Sequence, residues 1–153
     1  MRSGLAFLAL VAAPAMAAPG FAPGQWNHQT QLLSADVPGI PEWVVKMFAG
    51  RGHRTSCNSA EQLRAHPEAL LTEDDAAICK LRKLSMANGR LVFDTFCTNK
   101  RFPEGLLVAS RGSYTPISYA ISTTSTGTRN GRPVRILTKG GGQQVSASCS
   151  KPS

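Results

Sequence analysis

The side chains best suited to chemistry in this chain are four cysteines, Cys57, Cys79, Cys97 and Cys149. A cysteine can be a nucleophile, a metal ligand or a crosslink, and spacing and compartment decide which. Structural zinc sites draw on short pairs such as C-x2-C, whereas these cysteines are separated by 22, 18 and 52 positions. His53 stands near Arg54 and Cys57, which would suit a nucleophile pair or a metal site only if the thiol were free. His28 shares a face with Trp26 along an extended stretch, so packing is its expected role. The alternative is a general base working with a distant serine. Ser110, Ser118, Ser122 and Ser148 are available, but none sits in a G-x-S-x-G elbow. Glu73, Asp74 and Asp75 are consecutive acids without the alternating ligands and central glycine of a calcium loop. These residues lead us to expect no catalytic group, no metal and no cofactor, and hence a non-enzymatic protein.

The amino terminus decides the cysteine chemistry. Arg2 precedes an apolar run from Leu5 to Ala13 that is too short to span a bilayer, and Ala15-Met16-Ala17 is a small-x-small cleavage site. That is the pattern of a signal peptide over residues 1–17. A flexible leader over 18–23, a single disulfide-braced domain over 24–150 and a tail over 151–153 are expected to follow. Export to the periplasm or beyond would expose the cysteines to oxidation, so two disulfides are expected. No later apolar run approaches the ~18 residues of a spanning helix, so no transmembrane segment is expected after cleavage. The formal net charge is +8, from bases scattered along the chain. This implies a solvated basic surface, with an anionic envelope component as a candidate partner. Export and the lack of a recognition motif argue against nucleic acid.

The elements that must hold these residues are mostly strands. Gly24 to Leu33 alternates, with Trp26, His28, Thr30 and Leu32 on one face. Glu42 to Phe48 predicts a short helix with Pro41 in its first turn, burying Trp43 and Met47. Arg54 to Cys57 reads as a strand. Ser59 with Gln62 forms a capping box opening a helix that Pro67 stops, and a second turn runs to Leu71. Strands follow over Ile78–Met86, Arg90–Cys97, Leu106–Arg111, Ile117–Ser122 and Val134–Lys139. Asn88-Gly89 and Asn130-Gly131 mark hairpins. Gly140-Gly141-Gly142 reads as a turn before a last run from Gln144 to Cys149. The expected fold is mainly β with minor α: a curved antiparallel meander or partial barrel of about seven strands, with a helical insertion near 59–71. Trp26, Trp43, Phe93, Tyr119, Ile121 and Ile136 are expected in its core or lining an apolar pocket.

The hairpin at Asn88-Gly89 bears on the disulfides. A two-residue loop makes paired positions sum to 177, which puts Cys79 and Cys97 on opposite faces. A three-residue loop, Ala87-Asn88-Gly89, gives 176 and sets the two cysteines opposite each other. At a non-hydrogen-bonded pair the alpha carbons would lie about 4.5 Å apart, at the short end of disulfide reach. The second register is favoured and leaves Cys57 for Cys149. The rival pairing is Cys57 with Cys79 and Cys97 with Cys149.

Taken together, Gly24-Gln25-Trp26 opening the first strand, Cys57 leading into a helical stretch to Leu71, Cys79-Lys80 starting a strand, Cys97 ending the next and Cys149 closing the domain resemble the exported bacterial family called domain of unknown function 3617. The chain departs at Asn27, where an acidic residue is common, and at basic Arg51, His53 and Arg54, where the family is neutral and methionine-rich. The resemblance implies a small four-cysteine β protein of a Gram-negative envelope and transfers no site residues. The expected function is a periplasmic binding module for an apolar small molecule or an envelope component. A structural or protein-interaction factor using a basic face is the alternative, and a hydrolase built on His28 comes third.

Overall fold

The structure, a computed structural model, describes residues 20–71 and 78–149. The segment expected to be a signal peptide, the acids Glu73, Asp74 and Asp75, and the expected tail over 151–153 lie outside the described residues. Seven strands form one open antiparallel sheet: β1 (Gly24–Asp36), β2 (Arg51–Asn58), β3 (Ile78–Ala87), β4 (Arg90–Thr98), β5 (Leu106–Thr115), β6 (Ser118–Arg129) and β7 (Arg132–Ser146). Their order is β2-β1-β7-β6-β5-β4-β3. Strands β3 to β7 are therefore a meander, and the amino-terminal β1–β2 pair joins it alongside β7.

Both expected hairpins close on two residues with positive φ, Asn88 (51°) with Gly89 (73°) and Asn130 (54°) with Gly131 (71°). That is the type I′ geometry that follows strand twist. The three-residue loop expected at Ala87–Gly89 is thus corrected: Ala87 pairs with Arg90 and Met86 with Leu91. Cys79 nevertheless pairs with Cys97. A β-bulge between Leu81 and Lys83 inserts Arg82 as an extra residue, shifting the register by one and turning Cys79 to the face of Cys97. The Arg82 guanidinium lies 5.6 Å from the centre of the Phe96 ring. Both disulfides are those favoured from sequence, Cys79–Cys97 and Cys57–Cys149, with alpha carbons 4.1 and 5.7 Å apart.

The Gly140–Gly142 turn is also corrected. These glycines lie inside β7, paired with β1 on one side and β6 on the other. Their lack of side chains makes room across the sheet: a Cβ on Gly142 would collide with the Tyr119 ring and stand 3.0 Å from His28 Nδ1.

The capping box forms as expected: Ser59 Oγ accepts from the Gln62 amide at 3.1 Å, and Gln62 Oε1 accepts from the Ser59 amide at 2.9 Å. Helix α2 (Ala60–Ala65) and a 3-10 turn (Pro67–Leu70) follow. They deliver Leu63, Leu70 and Leu71 into a cluster with Phe21, Trp26, Leu91, Phe93, Tyr119 and Ile121. One cluster thus takes side chains from β1, β4 and β6 together with the helical insertion, which covers the sheet's inner face. Phe21, in the expected flexible leader, is 7% exposed within this cluster, and Ala22 donates to the Pro116 carbonyl.

Helix α1 (Glu42–Ala49) occurs where expected, but Trp43 and Met47 are each 64% exposed and lie outside both core clusters. At 100° per residue, Val45 lies about 200° from Trp43. It is Val45 that packs on a second cluster of Leu32, Ala35, Val37, Leu106 and Val134, which sends Trp43 and Met47 to solvent. Ile136 is partly buried beside the same cluster.

Candidate binding cavity and buried histidine network

Register explains a gap between the two clusters. One cross-sheet row on the inner face reads Leu32, Thr138, Thr123, Ser110, Phe93, Leu84, and the next reads Ala35, Ile136, Ser125, Val108, Thr95, Leu81. In the first row large apolar side chains flank small hydroxyl residues on β7, β6 and β5; in the second, Ser125 on β6 and Thr95 on β4 are the short hydroxyl positions. Those short side chains leave the concavity unfilled. A cavity of about 240 Å³ results, bounded by Thr30, Leu71, Phe93, Leu106, Val108 and Ile121 and by the hydroxyl-bearing Thr95, Ser110, Thr123, Ser125 and Thr138. The Cys79–Cys97 disulfide contributes to its wall. Six adjacent strands laid flat would span about 24 Å at ~4.8 Å each. That β1, β3, β4, β5, β6 and β7 line one small cavity shows how strongly the sheet curves. Ser110 is fully buried and shares a hydrogen bond with Thr123 at 2.8 Å. Thr95, 2% exposed, lies 3.5 Å from Cys97 Sγ.

A polar network sits within the core cluster that shares Phe93 and Ile121 with the cavity wall. His28 Nδ1 is 2.8 Å from the Tyr119 hydroxyl, and His28 Nε2 is 2.8 Å from Ser56 Oγ. Asn58 Nδ2 donates to the same serine oxygen at 2.8 Å. Trp26 stacks on the His28 ring at a centroid distance of 6.3 Å, and Tyr119 leans against it at 5.9 Å. Burial, and secondarily the positive Arg54 guanidinium, push the His28 pKa down to about 4. The imidazole is therefore neutral near pH 7, with one nitrogen donating and the other accepting.

His28 thus does meet a serine, but it is Ser56, outside the four considered from sequence. The signal for Ser56 was its place on β2, two residues from Arg54, but only the β1–β2 register, which sets Ser56 opposite Trp26, brings it near the imidazole. Of those four, Ser110 lines the cavity, Ser122 and Ser118 lie along β6, and Ser148 follows β7. His53 is exposed on β2, and Cys57 beside it is held in a disulfide. Among the described residues no group of three His, Cys, Asp or Glu side chains is placed to hold a metal. Trp26, Phe93, Tyr119 and Ile121 are core, and Phe93 and Ile121 also face the cavity. Apart from Ser110, the cavity hydroxyls went unread because alternation along one strand does not reveal which rows meet across the sheet.

The arrangement defines a disulfide-braced antiparallel β protein whose curved sheet lines a cavity of mixed apolar and hydroxyl character. More particularly, residues 21–149 match the family described as "Protein of unknown function (DUF3617)", and the chain belongs to that family. No curated protein and no solved structure matches it.

Proposed function

We propose that this protein is an exported, non-enzymatic binding module that holds a small, largely apolar molecule against the inner face of its sheet. The cavity carries this reading: apolar walls from Phe93, Leu106, Val108 and Ile121 would bury the ligand, and the Thr95, Ser110 and Thr123 hydroxyls would orient a polar group on it. At about 240 Å³ it falls just below the ~300–1,000 Å³ of drug-sized pockets, so the ligand would be small. Two disulfides support an oxidising compartment such as the periplasm, and no helix among the described residues is long and apolar enough to cross a membrane. Against a hydrolase, His28 is 1% exposed under the Trp26 and Tyr119 rings, which leaves little approach for a carbonyl to the Ser56 oxygen.

Native mass spectrometry of protein purified from its own cell envelope tests the proposal. The expected result is a co-purified small molecule, lost from Ser125→Leu, which would fill the cavity while leaving the Ser110–Thr123 hydrogen bond in place. A protein that carries no small molecule, and takes up none from an apolar panel, refutes it.

A further inference from the structure

The outward side of α1 carries an unexplained apolar patch. Trp43 and Met47 stand one helical turn apart, both 64% exposed, and Leu33 on β1 is 45% exposed. Leu33, Met47, Lys46 and Arg51 border one surface hollow, so helix and sheet edge form a continuous surface. The charged residues bordering the hollow, Lys46 and Arg51, are both cations. The only acid on α1, Glu42, is neutralised by Lys46 at 2.8 Å. Arg51 borders the hollow, and the ladder pairs it with Gln31 and Gln31 with Lys139, so a second cation lies one strand further across the same outer face of the sheet. Among the described residues neither cation makes an ion pair.

We propose that this patch docks the protein on an anionic phospholipid surface. Trp43 and Met47 would enter the headgroup boundary, and Arg51 and Lys139 would face the lipid phosphates. An exposed tryptophan beside cations suits a bilayer interface, where its ring is partly buried and its N–H stays wet. The charge complementarity selects a negative surface over a neutral one. A short helix lying on the sheet edge and a few basic residues imply reversible attachment.

The chain supplies its own probe. It has two tryptophans, and Trp26 is fully buried with its Nε1 donating to the Ala22 carbonyl, so Trp43 alone answers to the patch. The mature, oxidised protein would be mixed with vesicles of phosphatidylglycerol and phosphatidylcholine, and with phosphatidylcholine alone. The expected results are sedimentation and a blue-shifted Trp43 emission with anionic vesicles only. Trp43→Ser with Met47→Ser should weaken partitioning at least about tenfold. Arg51→Gln and Lys139→Gln should weaken it by roughly fivefold each. All four side chains reach solvent, and unchanged thermal unfolding would show the fold is intact. No sedimentation at low salt overturns the proposal. So does binding untouched by the Trp43 and Met47 changes, and so does concentration-dependent dimerisation that shifts Trp43 emission without lipid.

Discussion

His28 makes the protein's stability depend on pH in a way that can be isolated. Its pKa is about 4 in the folded protein and 6.5 when unperturbed. The unfolded chain therefore binds the proton more tightly, and ∂ΔG/∂pH is positive wherever it holds more protons than the native state. The contribution is complete above pH 6.5, falls as pH drops and is exhausted below about 4. Linkage gives a loss of about 2 kcal/mol between pH 7 and 5 and about 3 kcal/mol by pH 4. The Tyr119 and Ser56 oxygens could both accept from a doubly protonated ring, so the loss comes from charging a buried group beside Arg54, not from broken hydrogen bonds. The variant is His28→Gln, which is polar but does not titrate. Urea unfolding of wild type and variant, disulfides intact, would be followed from pH 7 to pH 4. With m near 1–2 kcal/mol/M, the wild-type midpoint should fall by about 1–2 M more than that of the variant between pH 7 and 5. Other ionisable groups are common to both and cancel in the difference. Parallel pH profiles would refute the reasoning, since His28 would then titrate alike in both states.

Deleting Arg82 removes the bulge residue, so the ladder should run unbroken from the Asn88-Gly89 turn to Cys79 opposite Cys97; peptide mapping should still find that disulfide, and free thiols would contradict the assigned register. Replacing Cys57 and Cys149 by alanine should cost about 4–5 kcal/mol, against about 3 kcal/mol for Cys79 and Cys97, because the first link closes a chain separation of 92 and the second one of 18; equal losses in chemical denaturation would count against loop closure as the cause. Gly142→Ala should destabilise by about 1–3 kcal/mol, since the added methyl meets the Tyr119 ring and His28; calorimetry showing an unchanged midpoint would mean the two rings are not held there. Phe93→Ala, at a position 2% exposed, should cost about 3–5 kcal/mol and enlarge the cavity, to be read from thermal unfolding and apolar-dye binding.

The amino-acid sequence by itself determined the strand content, where both Asn-Gly hairpins fall, the Ser59 capping box and which face of β1 is buried. All of these rest on neighbours a few positions apart: a turn needs φ above zero at two residues, a cap needs Ser and Gln three apart, and a half-buried strand needs alternation. Tertiary structure decided the rest. Arg82 became a bulge only because the turn and the Cys79–Cys97 bond demand registers that differ by one. Trp43 faces outward because the sheet received Val45 on the opposite side of its helix. Gly142 stayed in β7 because rings from β1 and β6, those of His28 and Tyr119, occupy the space its side chain would have taken, and a Cβ on Gly141 would stand 3.0 Å from the Tyr119 carbonyl oxygen. The cavity exists because Thr138, Thr123 and Ser110, distant along the chain, come abreast in one row, and small side chains in register cannot fill a curved sheet.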